Sequence, residues 1–332
     1  MNMNQMRMCC SCCCSIQMMR NDKENINQHI NKYKEEKNMK TRVFQIALVL
    51  GLQFSLAANA QTEKVTLHVP NFARPLVEKW VTEYQRTNTR VDFQFSGKSQ
   101  NSDNNISLST DDDAVLVARY AVLPVIAKGS EAAELIGRHS LNARKLKSLF
   151  FVNDEQDDDQ DESKLNRQLH VITGNSQQSA SRLYATHFKE EIVNYKGKKI
   201  QGDDSFLTLA ISRDPLGITV NSLSNIFDLE SRKVRQTLAL VPLDIDRQGR
   251  QVLSEGRLDD IITLLEEEQY AEIPVGKVGF DYNHANPILN GFVQWVLQNG
   301  TQYVHQYGLL SLSQKDLTAQ ERKVQHKELA QK

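Results

Sequence analysis

The chain has 332 residues, with 40 Lys and Arg against 41 Asp and Glu, a formal net charge of −1 and 40% hydrophobic residues. That length can bury one large core or two smaller ones. Eight of the basic and four of the acidic residues precede position 61, which leaves 32 against 37 and a net charge near −5 beyond it; with no basic stripe there, nucleic acid is excluded as a partner, because affinity for a phosphate backbone needs clustered Lys and Arg.

All five cysteines, Cys9, Cys10, Cys12, Cys13 and Cys14, fall in residues 1–38, among Asn, Gln and Met. Their spacing matches no metal-ligand pattern, and residues 1–38 read as a mis-assigned start or an extension without fold. Residues 39–60 read as an export signal: Lys40 and Arg42 form a positive n-region, Val43 to Leu56 a short apolar run, and Ala58-Asn59-Ala60 a small-residue cleavage site before Gln61. Gln45 and Gln53 interrupt the run, which is too short to span a bilayer. The expectation is a protein released beyond the inner membrane, periplasmic or secreted. Without a Cys after Gln61 it has no disulfide, and without one at position 61 it has no lipid anchor there.

Lys64 to Val69 alternates and is β-branched, so a strand is predicted. Pro70 to Pro75 then leads into a helix carrying Leu76, Trp80, Val81 and Tyr84 at helical spacing. Val91 to Phe95 is a second strand, followed by a loop at Ser96-Gly97-Lys98-Ser99. In open α/β sheets ligands bind at the carboxyl ends of strands, where these two loops lie. Ala114 to Ala118 and Tyr120 to Ala127 are apolar and β-rich, with Pro124 marking an edge, bend or crossing. Asn142 to Phe150 is an amphipathic helix. Asp154 to Glu162 is a self-repelling surface loop that lacks the geometry of a calcium loop.

Gln168 to Ile172 is a short strand, Thr173 to Ser179 a polar loop, and Ala180 to Phe188 the next helix. Strands follow at Ile218 to Val220, Leu238 to Leu243 and Val278 to Tyr282, and a helix at Leu258 to Glu268. Asn286-Pro287 opens a further helix, with Asn as cap and Pro in the first turn, and Asn299-Gly300 closes it. Strands alternate with helices, so the class is α/β.

Backbone amides at a helix start attract anions without a formal charge. Asn71-Phe72-Ala73 and Asn175-Ser176-Gln177-Gln178-Ser179 both stand at predicted helix starts, and capping by Asn and Ser accounts for them as well. A plain turn accounts for Ser96-Gly97-Lys98. No Gly-x-Ser-x-Gly elbow and no His-Glu-x-x-His motif occurs. His170, Ser176 and Ser179 are the only basis for a nucleophile, so no enzyme, metal or cofactor is expected.

The order of these segments resembles the phosphate-binding proteins of bacterial ABC importers, within the type II periplasmic binding-protein fold. Asn71 to Tyr84 is similar to the family's first ligand loop and helix. Tyr120 to Gly129, with the Leu-x-x-x-x-Leu-x-x-Leu-Phe helix from Leu141, is similar to the crossing into the second lobe. Thr173 to Phe188 stands where the family has its Ser-Gly-Thr phosphate loop, and Phe292 to Leu312 is similar to its carboxyl-terminal helix and closing strand. The resemblance implies two α/β lobes joined by two crossings: lobe 1 from 61–123 and 278–332, lobe 2 from 124–277. It implies a monomer capturing a small oxyanion, phosphate first, with an ABC permease or envelope complex as partner. The alternative is a protein of the same fold that binds no ligand and serves as an envelope interaction or sensory component.

Two departures bear on the ligand. The first loop is Pro70-Asn71-Phe72-Ala73-Arg74 in place of a run of Gly, Ala and Ser. The second has no Arg before Ser176, which removes a bidentate contact. The expected site therefore comprises Asn71, Phe72, Ala73, Ser96, Gly97 and Lys98 of lobe 1 with Asn175, Ser176, Gln177 and Ser179 of lobe 2. Arg119, and after it Lys98, would supply the positive charge.

Overall fold

Buried Val65 and Leu67, on either side of half-buried Thr66, build strand β1 (Glu63–His68) in the computed structural model. The structure describes residues 62–97, 102–110, 113–137, 139–152, 165–176 and 179–329. The extension 1–38, the export segment 39–60, the acidic run 154–162, Lys98 and Gln177 lie outside them. The account below concerns the unit Thr62–Lys332.

After β1 come α1 (Arg74–Gln85), β2 (Val91–Phe95), β3 (Asn105–Ser109) and the long β4 (Val115–Ala127). Next are α2 (Glu131–Ile136), α3 (Ala143–Phe150), β5 (His170–Gly174), α4 (Ala180–His187), β6 (Lys198–Ile200), α5 (Ser205–Arg213) and β7 (Gly217–Ser222). A one-turn α6 (Leu223–Ile226), the ribbon β8 (Phe227–Asp228) and β9 (Lys233–Val234), and β10 (Leu238–Leu240) follow. The chain ends with α7 (Arg247–Glu255), α8 (Leu258–Glu267), β11 (Val275–Tyr282), α9 (Pro287–Trp295) and α10 (Gln314–Leu329).

One sheet runs through both lobes, and its partners change along β4. From Val115 to Ala121, β4 pairs antiparallel with β11; from Val122 to Ile126 it pairs antiparallel with β7, and its end also pairs with β10. The lobe 1 order is β2-β1-β3-β11-β4, and the lobe 2 order is β6-β5-β7-β4-β10. In each lobe the first strand is parallel to the second and third, and a strand from elsewhere in the chain runs antiparallel between the third and fourth. This is the two-lobed α/β arrangement that the resemblance implies. The exchange of partners falls between Ala121 and Val122 rather than at 123–124, and β11 joins lobe 1 at Val275 rather than 278.

Pro124 sits inside a paired strand for a geometric reason. Its carbonyl accepts from Val241 N at 3.1 Å, and the N and O of one strand residue point to the same side, so the absent N–H faces the end of β10 rather than β7. The Asn286 cap forms as expected: its side chain accepts from Ile288 N and Leu289 N. Gly300, however, does not close that helix. The chain continues through a π-helical turn (Val296–Gly300) and a 3-10 segment (Thr301–Tyr307), and Gly308 at φ 73° ends it. Gly300 instead lets Trp80 approach: a Cβ there would stand 2.8 Å from Trp80 Nε1, which donates to Gly300 O.

Each lobe has an aromatic core. Trp80, Tyr84, Phe93, Phe280 and Phe292 pack edge to face or tilted in lobe 1, and Phe150, Phe151, Tyr184, Phe188 and Tyr195 do so in lobe 2.

Candidate functional site

The parallel strands of both lobes end at one cleft of about 240 Å³. Lobe 1 contributes Val69 to Phe72 after β1 and Gly97 after β2. Lobe 2 contributes Ser176 after β5, and Gly202, Asp203 and Asp204 after β6. Asn71, Phe72, Gly97 and Ser176 are thus brought together. The acidic pair was missed. Its signal was Gly202-Asp203-Asp204-Ser205, acceptor side chains preceding the undetected helix α5.

Asp203 links the lobes. Its Oδ2 accepts from Asn71 Nδ2 at 2.7 Å, and its Oδ1 accepts from Ser205 N at 2.8 Å at the start of α5. Burial pushes the Asp203 carboxyl up, but the Ser205 and Asn71 hydrogen bonds outweigh it and hold the group below the usual value.

Asp204 points into lobe 2 and is 7% exposed. Its Oδ1 accepts from Ser179 Oγ at 2.5 Å and its Oδ2 accepts from Ala180 N at 2.6 Å. The carboxylate therefore occupies the start of α4, where an anion is stabilised by orphan amides. The other amides there are also engaged: Ser181 N donates to Ser179 Oγ and Arg182 N to Ser179 O. Gly174 allows this crowding, since a Cβ there would meet Ser179 Oγ at 2.3 Å and Asp204 Oδ1 at 3.0 Å. Burial raises the Asp204 pKa, the charge of Asp203 adds to it, and the bonds from Ser179 and Ala180 oppose the rise.

The start of α1 offers less. Its cap residue Ala73 has no side-chain acceptor and is fully buried, Pro75 has no N–H, and Arg74 N is bonded to Asn71 O. The Phe72 ring is buried and stacks on Tyr120 with centroids 4.7 Å apart, so it serves the core beneath the cleft. Desolvation, aided by the charge of Asp204, pushes the Tyr120 hydroxyl pKa up.

Other expected site residues are placed elsewhere. Ser96 completes the turn after β2: its N donates to Leu67 O, and its carbonyl accepts from His68 Nδ1 at 3.0 Å. Asn175 lines a separate recess with Arg182 and Lys199. Ser179 is 2% exposed and caps α4. Arg119 forms a double backbone bridge with Leu310, and its Nε donates to Ser311 O at 2.9 Å. It holds the carboxyl-terminal segment and does not line the cleft. Arg74 lies over Phe95 and pairs with Glu78. Among the described lining residues of the cleft there is no Lys or Arg.

In structure this chain is similar to solute-binding proteins. It shares 9% identity with a possible phosphate binding protein from Planctomyces limnophilus, covering 80% of this chain and 99% of that one at a TM-score of 0.46. With an ABC-type phosphate transport receptor from Vibrio cholerae it shares 9% identity, covering 75% and 100% at 0.45. The regulatory domain of CrgA, a LysR-type transcriptional regulator from Neisseria meningitidis, is similar at 10% identity, covering 72% and 98% at 0.39. The chain matches no family model and no curated protein.

Neither serine–histidine cluster makes a nucleophile. His170 Nδ1 pairs with Asp214 at 2.9 Å, while Ser179 is held by Asp204. Ser311 Oγ and Glu266 Oε1 both meet Nε2 of His305, at 2.9 and 2.8 Å. A serine relay needs the hydroxyl on one ring nitrogen and the carboxylate on the other. Among the described residues no group of His, Cys, Asp and Glu is placed to hold a metal, and no helix is long and apolar enough to cross a membrane.

Proposed function

We propose that this chain is a non-enzymatic protein on a two-lobed solute-binding frame, exported by residues 39–60, that acts as an interaction or sensory component of the envelope rather than as a phosphate carrier. One observation carries this reading: the Asp204 carboxylate occupies the helix start in lobe 2 where the resemblance puts the oxyanion. A bound oxyanion would have to displace Asp204 and lie beside Asp203. Two unit charges about 4 Å apart repel by roughly 4 kcal/mol at an effective dielectric of 20. One hydrogen bond to a charged group returns about 1.5–3 kcal/mol, so an oxyanion there needs several donors, a cation, or a protonated oxygen facing Asp203 to offset the repulsion.

Calorimetric titration with phosphate, sulfate and molybdate tests this. No binding up to millimolar concentration is expected. Micromolar affinity for any of the three would overturn it in favour of the second reading, oxyanion capture for an ABC importer. What supports that second reading is the position of the cleft, at the carboxyl ends of strands from both lobes. Export has its own test: amino-terminal sequencing of native protein is expected to begin at Gln61, and a retained Met39 would sink it.

A further inference from the structure

We propose that the open edge of β10 is an acceptor site for an extended, acidic segment of a partner protein, which adds to the lobe 2 sheet as a further strand. The inference stands apart from the cleft and rests on a difference between two equivalent edges.

Each lobe ends its sheet on its fourth strand. In lobe 1 this is the first half of β4, and the chain seals it. Arg119 N donates to Leu310 O and Leu310 N to Arg119 O, both at 2.8 Å, and Leu116 N donates to Gln320 Oε1 at 3.0 Å. In lobe 2 the same place belongs to β10. Thr237 O accepts from Lys128 N, and Val241 N donates to Pro124 O. Residues 237, 239 and 241 therefore turn their backbone groups toward β4, and by alternation Leu238 and Leu240 turn theirs outward. Leu238 N donates to Arg235 O at 2.9 Å. The Leu238 carbonyl and both backbone groups of Leu240 have no partner among the described residues.

A groove of about 920 Å³ lies along this edge. All three β10 residues line it, with Val234 of β9 and Leu253 of α7 adding apolar surface. Its carboxylates are occupied: Asp228 accepts from Ser231 N, and Glu255 accepts from Arg257 at 3.0 Å. Arg235 Nε donates to Asn225 O. Lys128 and Lys233 also line the groove and have no ion pair among the described residues. The groove lining carries Lys128, Lys233 and Arg235 against Asp228 and Glu255, so its balance is positive and favours an acidic occupant. Leu238 is 3% exposed, so main-chain bonds to Leu240 would supply register, and the two lysines would supply selectivity.

Lysines beside a sheet edge also guard against unwanted pairing, and charge reversal separates guard from receptor. The probe is a heptapeptide alternating Val with Glu, compared with one alternating Val with Lys. Hydrogen exchange at the Leu240 amide is expected to slow at least tenfold with the acidic peptide, while the Ala239 amide stays unchanged. Lys128→Glu with Lys233→Glu should weaken the acidic peptide at least tenfold. Leu240→Pro should abolish binding; should that variant fail to fold, a peptide N-methylated at alternate residues should fail on the wild-type protein. An unchanged Leu240 amide at millimolar acidic peptide, or equal binding of both peptides, would overturn the proposal. Protection of Leu240 that rises with protein concentration alone would assign the edge to a second copy of this chain and overturn the acidic partner.

Discussion

The two lobes share a strand order but not a way of starting their first helices. In lobe 1 the loop after β1 turns into α1 on Ala73 and Pro75, and one early amide folds back on Asn71 O. In lobe 2 the loop after β5 turns into α4 on Ser179, and a carboxylate from the loop after β6 closes the amides. Strand order follows from right-handed crossovers and burial, which many sequences satisfy. A helix start follows from a few side chains within hydrogen-bond reach. The same strand order can therefore carry helix starts that are closed in different ways.

The largest effect expected from testing this comparison comes from the aromatic cores. Phe292→Ala in lobe 1 and Tyr184→Ala in lobe 2 should each cost roughly 3–5 kcal/mol, because each empties a fully buried aromatic position. Urea unfolding of both variants checks it. A single shared transition would show that the continuous sheet couples the lobes, and two separate midpoints would show that they unfold apart.

Removing the plug comes next. Asp204→Ala deprives Ser179 Oγ and Ala180 N of their buried acceptor, and a loss of about 1.5–3 kcal/mol is expected. No loss in denaturant stability would mean that water satisfies those donors as well as Asp204 does. Gly174→Ala should cost about 1–3 kcal/mol by overpacking against Ser179 and Asp204. Added to Asp204→Ala it should cost less than it does alone, which a double-mutant cycle would measure.

The plug also sets a pH dependence. The raised Asp204 pKa means that the folded state binds this proton more tightly than the unfolded state. Its contribution is greatest at low pH and falls as pH rises from the ordinary Asp value through the raised one. The stability of the wild type relative to Asp204→Asn should therefore decline with rising pH across that window; a rise would contradict the assignment. The smallest effect is expected at Asn71→Ala. Its bond to Asp203 is exposed, and its loss should cost no more than about 1 kcal/mol while widening the cleft in small-angle scattering. An unchanged scattering profile would show that the shared sheet, rather than Asn71, sets the lobe separation.

Local pattern was legible where burial alternates or a cap is explicit. β1 and β2, the Pro-led α1, the amphipathic α3 and the Asn286 cap of α9 all follow from residues adjacent in sequence. β3 was missed because Asn105-Ile106-Ser107-Leu108-Ser109 is short and carries only two apolar residues. α7 and α10 were missed because polar residues dominate their exposed faces, and α5 because exposed Phe206 and Leu209 blur its apolar periodicity. Gly300 looked like a stop, yet helical geometry continues through it because Trp80, 220 positions away in sequence, packs and bonds there.

By itself the sequence determined the α/β alternation, the strand-end loops that meet at the cleft, and the order of segments that joins two lobes. Each of these depends on periodicity and short-range chemistry, which a linear chain displays. Only the tertiary structure decided which charge sits at the helix start. Asp204 lies 25 positions from Ser179 and reaches it because β5 and β6 pair side by side. Arg119 likewise turned from candidate ligand to anchor because Leu310 and Ser311 return to its strand from 191 and 192 positions away. Contacts of that range are set by the packing of whole elements, and local propensity carries no record of them.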